Sequence, residues 1–331
     1  MLKEIEIQNF RCFEQIKISG FERVNLIGGK NNAGKTALLE ALFLNFGQDP
    51  RSLEILRKLR REPSQTLEAM PNRAWDNLFY AQKKDRFIVI IGKDDNNNTE
   101  QLKLSSVKPE INFELMKNED KSTWPLAKVA AARGLMIDSI SLDEVPIIPS
   151  SIRISGKELT QAYDNARLDD KDSEVLKAFQ ILDPTIESVE SFSIGEPTLY
   201  LRRKGEKRLP LSLFGDAINR VAEIILKLVN SEYKILLIDE IENGIHYTNQ
   251  REFWRILFRL AVELDTQIFA TTHSLEMLQE FAHVGLELNQ ECSSAYFELA
   301  KKPKTNQIIG IRRDLETLNY ALEHKKGVRG E

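Results

Sequence analysis

The run Gly29-Lys30-Asn31-Asn32-Ala33-Gly34-Lys35-Thr36 satisfies the spacing G-x-x-x-x-G-K-[ST]. Glycines at the two ends let backbone N–H groups close around phosphate oxygens, and a helix starting there adds the positive end of its dipole. Lys35 is spaced to reach the β- and γ-phosphates, and the Thr36 hydroxyl to ligate Mg²⁺. The expected ligands are ATP and Mg²⁺, held by Gly29, Asn31, Asn32, Ala33, Gly34, Lys35, Thr36 and, in the first helical turn, Ala37. The competing reading is a chance glycine-rich turn.

Two further stretches could complete such a site. Ile235-Leu236-Leu237-Ile238 runs into Asp239-Glu240, an apolar run ending in consecutive carboxylates. At a sheet edge Asp239 would hold Mg²⁺, and Glu240 would polarise the attacking water as a general base. Phe269-Ala270-Thr271-Thr272-His273-Ser274 delivers a histidine to the end of another apolar run, where His273 could sense the γ-phosphate and orient the water. If the two strands are neighbours, His273 lies beside Asp239-Glu240. With Lys35, the candidate catalytic residues are Glu240 and His273, and the candidate metal ligands are Thr36 and Asp239. His246, beyond Glu242-Asn243-Gly244, reads as a packing residue.

The elements that position these residues follow from hydrophobic period. Ile5 and Ile7, then Ile16 and Ile18, alternate with polar neighbours as short strands do, and Val24, Leu26 and Ile27 form a more continuous strand. Leu38, Leu39, Leu42 and Phe46 have helical spacing, with Gly47 as the stop. Residues 51–62 read as a basic helix, 87–91 as a strand closed by the turn-rich run 94–98, and 164–182 as one charged amphipathic helix. A helix over 209–230, strands at 235–238 and 268–270, and a helix over 254–264 complete an alternating pattern that specifies a largely parallel α/β sheet. Strands at 295–299 and 307–311 and a short terminal helix finish it.

Bulk properties narrow the class. The 331 residues are 42% hydrophobic and 29% charged, a profile with enough apolar material for a sizeable core. Forty-six basic against 50 acidic residues give a net charge of −4, so any nucleic-acid contact would need local patches. Two cysteines, Cys12 and Cys292, are too few for a disulfide framework and suit a reducing cytosol. No apolar run is long enough to span a bilayer, and the amino terminus lacks the core of a signal peptide; the expectation is a cytoplasmic protein without membrane contact.

These motifs, in this order, resemble the ABC-type ATPase heads of the RecF, SMC and OLD (overcoming lysogenization defect) group. Ile7-Gln8-Asn9-Phe10-Arg11-Cys12-Phe13 looks like that group's opening strand and turn, and Leu39-Glu40-Ala41-Leu42 like its first helix. The closer likeness is to OLD-like AAA ATPases, whose signature region resembles residues 208–220 and whose Walker B and D-loop stretch resembles residues 237–247. The resemblance implies an ABC-type P-loop head: a mixed, mostly parallel sheet, an amino-terminal antiparallel part and an inserted helical and β lobe. It implies one ATPase domain over 1–331, with the lobe at 48–200 and the signature, Walker B and switch-histidine half at 201–331.

It further implies a homodimer in which two ATP molecules lie between subunits. Arg11 joins the nucleotide contacts, Ser212 and Gly215 of one subunit face the loop of the other, and Asn243 lies along the interface. The signature departs from L-S-G-G-Q, with Ala217 where many relatives carry a second glycine. A Q-loop glutamine has no candidate, because Gln161 and Gln180 fall on helical stretches. No coiled coil separates the motifs, and only 58 residues follow His273, too few for a TOPRIM nuclease domain as well as the remaining strands. The run Asp169-Asp170-Lys171-Asp172 reads as a solvated helix face.

Three functions fit. The first is an ATPase switch regulating a separately encoded effector, a nuclease or toxin, in prokaryotic anti-phage defence. The second is a RecF-like DNA-binding ATPase in repair or recombination, using Arg51, Arg57, Lys58, Arg60 and Arg61 or Arg202, Arg203, Lys204, Lys207 and Arg208 on phosphates. The bland reading of the first patch is a solvated helix. The third, a transporter's ATP-binding subunit, lacks a recognisable Q-loop.

Overall fold

Strand β1 (Leu2–Phe10) turns back into β2 (Phe13–Ser19) with Phe10 opposite Phe13, so Arg11 and Cys12 form the tip of a hairpin. Ile5, Ile7, Ile16 and Ile18 all point inward, as their alternation requires. Strand β3 (Val24–Gly29) leads into the glycine-rich loop, and α1 (Lys35–Gly47) leaves it. After α2 (Arg51–Leu59) come β4 (Ile88–Asp94), β5 (Thr99–Val107), β6 (Glu110–Lys117) and β7 (Asp120–Pro125). These strands extend the hairpin into a six-stranded antiparallel sheet of order β2-β1-β4-β5-β6-β7.

A second six-stranded sheet carries the motifs. It is built from β8 (Ile147–Ile148), β12 (Ile235–Ile238), β13 (Gln267–Thr271), β14 (Ser294–Lys301), β15 (Ile308–Arg313) and β3, in the order β15-β14-β3-β13-β12-β8. Every pairing is parallel except β14 with β15. The four residues of β12 and the five of β13 are all buried, as expected for inner strands covered on both faces. The helices α3 (Gly156–Leu168), α4 (Asp172–Leu182), α5 (Asp216–Asn230), α6 (Gln250–Glu263), α7 (Leu275–Glu287) and α8 (Leu315–Glu323) follow in chain order. A small sheet of β9 (Ile186–Phe192), β10 (Thr198–Arg203) and β11 (Leu209–Pro210) stands beside α3 to α5. This computed structural model describes residues 1–47, 49–62, 69–70, 73, 75–107, 110–117, 120–125, 145–150, 154–231 and 233–324.

Helix α1 lies between the two six-stranded sheets, touching β1, β4 and β5 on one side and β3, β12 and β13 on the other. Nine consecutive residues from Ala37 to Asn45 are buried, which explains why its sequence is apolar nearly all round. One core joins α1 to Ile27, Leu237, Phe269 and Phe297 and to the antiparallel sheet; the other packs Leu26, Leu236, Ile238 and Ala270 against α5, α6 and α7.

Several expectations change. The helix anticipated over 164–182 is two helices, broken at Asp169–Lys171 where Asp170 adopts φ 58°. The acidic run there is therefore a connection and a helix start, not a continuous solvated face. The helix expected from 209 begins only at Asp216: Leu209–Pro210 pairs with β10, Leu211–Phe214 is a single 3₁₀ turn, and Gly215 at φ +87° breaks the path. Nor is α2 solvated, since seven of its nine residues are buried. Arg57 lies 5.2 Å over the Trp75 ring and pairs with Glu62, Arg51 pairs with Asp49, and Arg60 with Glu40. In the second basic run Arg202, Arg203 and Arg208 pair with Glu187, Asp183 and Glu190. Both runs thus present far less free charge than their composition suggests. The described residues of 48–200 also divide between the antiparallel sheet, β8 and the α3–α4–β9–β10 group.

Among the described residues the most deeply buried ion pair lies within α5, and its arginine also ties that helix to the end of β12. Arg220 of α5, with 0% side-chain exposure, donates to Glu223 at 2.9 Å and to the backbone carbonyl of Asp239 at 3.2 Å. Removing one member strands a buried charge, at a cost of about 3–5 kcal/mol. Arg220→Ala is expected to lower the unfolding free energy in a urea titration by that amount. Lys234→Ala, which breaks an exposed pair with Asp265, should cost no more than about 1 kcal/mol. Equal effects would refute the ranking.

Candidate active site

The loop is shaped by positions that only glycine occupies without strain. Gly29 has φ +139° and a Cβ there would lie 2.4 Å from the Leu299 carbonyl oxygen; Gly34 has φ +94° and its Cβ would meet Cys12 Sγ and the Phe13 ring at 2.9 Å. The hairpin tip therefore buttresses the loop from below. Asn32, at φ 60°, supplies the remaining left-handed turn, and Ala33 N–H closes onto the Lys30 carbonyl at 3.2 Å. Asn31 and Asn32 are exposed on the loop, whereas Ala33 and Ala37 are buried beneath it.

Lys35 is half-buried, and its Nζ donates to the carbonyls of Gly29 (2.8 Å) and Lys30 (3.1 Å). Burial lowers its pKa, while the nearby carboxylates of Glu242, Asp239 and Glu240 oppose that shift. Thr36 Oγ1 lies 3.1 Å and 3.3 Å from the two carboxylate oxygens of Asp239, so the ends of β3–α1 and β12 meet. Asp239 is buried and accepts two further hydroxyls, Thr271 Oγ1 at 2.6 Å and Ser150 Oγ at 3.2 Å.

Parallel pairing of β12 with β13 puts Asp239-Glu240 beside Thr271–His273, the neighbour relation anticipated for them. Glu240 takes the left-handed conformation, φ 48°, with its N–H donated to Thr271 Oγ1 at 2.9 Å and its Oε2 accepting from Asn243 Nδ2 at 2.9 Å. A non-glycine residue at positive φ beside a buried carboxylate is strain of the kind that clusters at functional sites. His273 is half-exposed and bonded to Glu242, whose Oε1 lies 2.8 Å from both its Nδ1 and its backbone nitrogen.

The remaining candidates separate. Arg11 is engaged within the protein: its Nε donates to Glu40 at 2.9 Å and Nη1 to the Asn77 carbonyl, while Arg60 Nε takes the other Glu40 oxygen at 2.6 Å. Glu40 is buried one helical turn beyond Thr36. Ser212 and Gly215 are exposed just before α5, with open space around a Gly215 Cβ. Among the described residues they share no hydrogen bond with the loop. Asn243 is tied to Glu240 in its own chain. His246 is exposed, 2.9 Å from Thr248 Oγ1 and against Tyr247, and belongs to no cluster with the carboxylates.

Two residues at the centre escaped the sequence reading, Ser150 and Glu242. Ser150 reaches Asp239 because β8 pairs with β12, a position that no glutamine takes; a two-residue strand leaves no periodicity to read. Glu242 had a signal, its place three residues past Asp239, but only the β12–β13 pairing reveals its partner.

Strand, glycine loop, buried helix and a carboxylate-ended strand one place removed in the same parallel sheet define a P-loop ATPase on an ABC/SMC-type head. Over residues 24–278 the chain matches the family described as "AAA domain, putative AbiEii toxin, Type IV TA system", and it belongs to that family. A relative named ATP/GTP phosphatase from Helicobacter pylori is 25% identical over an alignment of 383 positions that spans 100% of both chains. A Methanocaldococcus jannaschii protein, MJECL10, is 30% identical over 127 residues, 38% of this chain and 57% of its own. The solved SMC head bound to the C-winged helix domain of ScpA shares the fold at TM-score 0.62 and 12% identity, with 96% of this chain and 99% of that one covered.

Gly34→Ala should weaken nucleotide binding at least about tenfold in a fluorescent-ATP titration, because the strain and the Cys12 contact both fall on the loop; unchanged affinity would contradict this. The thiols give a second readout. Burial raises the Cys12 pKa and pushes Cys292 up to about 11, so the thiolate is scarce at pH 8 and labelling accelerates as pH rises. Cys12, whose residue surface is exposed although its sulfur packs against Gly34, should react first and be slowed by Mg-ATP, while the buried Cys292 should react only on unfolding; labelling insensitive to Mg-ATP would count against a nucleotide at Gly34.

Proposed function

We propose that the chain is an ATP-driven switch: it binds Mg-ATP at the Gly29–Thr36 loop, closes on a second copy around it, hydrolyses it, and thereby controls a separately encoded effector. The observation that supports this most is the convergence of Thr36, Asp239, Glu240 and His273 at adjacent ends of parallel strands. Backbone N–H groups of the loop and the start of α1 cradle the phosphates. Lys35, carried half-buried beside them, supplies the positive charge. Thr36 and Asp239 fit Mg²⁺ because both are oxygen donors, 3.1 Å apart and lining one cavity; among the described residues no cluster of three or more His, Cys, Asp or Glu side chains could hold a metal. One carboxylate, one hydroxyl and substrate phosphates are the usual Mg²⁺ set. When bound, the ion neutralises charge on the β- and γ-phosphates.

Glu240 accepts the proton of the attacking water as the water oxygen adds to the γ-phosphorus and the bond to the β-phosphate oxygen breaks. Asn243 and the left-handed backbone hold Glu240 for that step. His273 orients the γ-phosphate side. Ser212 and Gly215, solvent-facing just before α5, supply the donor surface that the partner's triphosphate meets. Hydrolysis removes the shared anion and releases the dimer.

The role in prokaryotic defence is supported by the family description, which names a toxin of type IV toxin–antitoxin systems, and the hydrolytic reading by the phosphatase name of the Helicobacter pylori relative. The paired arginines of both basic runs favour a protein effector over a DNA clamp.

Lys35→Ala should abolish ATP binding. Glu240→Gln should bind ATP normally, lose about 10²–10⁴-fold in turnover, and elute as a dimer on light-scattering chromatography with Mg-ATP. A Glu240→Gln variant that hydrolyses at the wild-type rate, or stays monomeric with ATP, would refute the assignment.

A further inference from the structure

Glu242 is spent entirely on one residue. Its Oε1 accepts the backbone N–H of His273 at 2.8 Å and lies 2.8 Å from the ring Nδ1, so backbone and imidazole face a single atom. The Glu242 side chain is only 10% exposed, whereas that of His273 is 49% exposed. A half-exposed ring is thus held by a buried anchor. The second oxygen, Oε2, is buried without a hydrogen-bond partner. Leaving such an atom unpaired is destabilising, a poor arrangement for stability alone. The carboxylate also stands first among the charges acting on Lys35, which places it on the phosphate side of the loop. Ser274, not Glu242, caps α7, so capping does not account for the contact.

A carboxylate offers only lone pairs, so the nitrogen facing it must carry the proton. The neutral ring is therefore the Nδ1–H tautomer, and Nε2 is left free to act. We propose that Glu242 is the positioning residue of the switch histidine: it selects the Nδ1–H tautomer and ring orientation of His273, so that Nε2 serves the γ-phosphate and the attacking water. This deepens the function proposed above and rests on it for the catalytic consequence, but not for the tautomer.

Glutamine keeps an acceptor oxygen for both N–H groups and alanine removes it, so the two variants separate orientation from charge. Glu242→Ala should reduce kcat about 10–100-fold, the usual effect of removing an orienting partner, with KM for ATP and the thermal midpoint little changed. Glu242→Gln should retain at least about a third of kcat. His273→Ala added to Glu242→Ala should cause no further loss, because residues acting as a unit are not additive. The ring nitrogens give a readout independent of turnover. In ¹⁵N-histidine spectra at pH 8, the His273 resonance, assigned by its absence in His273→Ala, should show Nδ1 protonated and Nε2 bare in the wild type and in Glu242→Gln. That pattern should be lost in Glu242→Ala. An Nε2–H tautomer in the wild type, or additive losses in the double variant, would overturn the proposal. An intact tautomer in a protein that does not hydrolyse ATP would instead overturn the proposed hydrolysis.

Discussion

The Asp239 carboxylate lies at the end of an inner strand, buried, and among the described residues its two oxygens accept from hydroxyls rather than from a lysine or arginine. Its lone pairs are met by three hydroxyls, each from a different element: Thr36 from α1, Thr271 from β13 and Ser150 from the segment after β8. A charge in that position is tolerable only if each donor arrives together. The register of β12 with β13 and β8, and the seating of α1 on the sheet, are thereby linked to one atom group. The Thr271 hydroxyl is the tightest link, since it donates to Asp239 and accepts from the Glu240 N–H at once. A rotation there would release the Asp239 carboxylate and the Glu240 backbone together.

The rest of the fold converges on the same point through buried polar contacts. The hairpin tip packs on Gly34 through Cys12 and Phe13. Behind Thr36, Glu40 gathers Arg11 from the hairpin and Arg60 from the end of α2, so these two segments are tied to the helix that starts the phosphate site. From the other side Arg220 carries the helix behind the signature region to the Asp239 carbonyl. Cores are bistable rather than continuously deformable, and these polar ties concentrate any switching at helix ends. They also give the signature helix a physical route to the carboxylate.

Which parts were legible in the sequence follows from the range of the interactions. The phosphate loop, the strands at 235–238 and 268–270 and the switch position of His273 are local: spacing, period and burial of a single run specify them. The central place of α1 was half-visible, as a helix apolar nearly all round. The breaks at Asp170 and Gly215 were hidden because helical period continues across them, while the chain itself turns through a left-handed residue. The arginines of α2 read as a surface patch because their partners, Glu40, Glu62 and Trp75, come from other segments. Ser150 and Glu242 have meaning only once parallel pairing has set the strands side by side.

Electrostatics then favour a two-subunit reading of the site. Asp239, Glu240 and Glu242 all act on Lys35 of the loop. Arg11 and Arg60, the cations nearest on the other flank, already share the charge of Glu40. Introducing a triphosphate adds further negative charge to a region whose own side chains lean negative. Loop N–H groups and a divalent ion offset part of it. A second helix start aimed at the γ-phosphate would supply more, with no buried side-chain charge. The run from Ser212 to Gly215 precedes such a helix start at α5, exposes Ser212 and Gly215, and shares no hydrogen bond with its own loop among the described residues. On the proposed two-subunit reading closure would respond to the charge of the γ-phosphate itself, and its loss would open the pair.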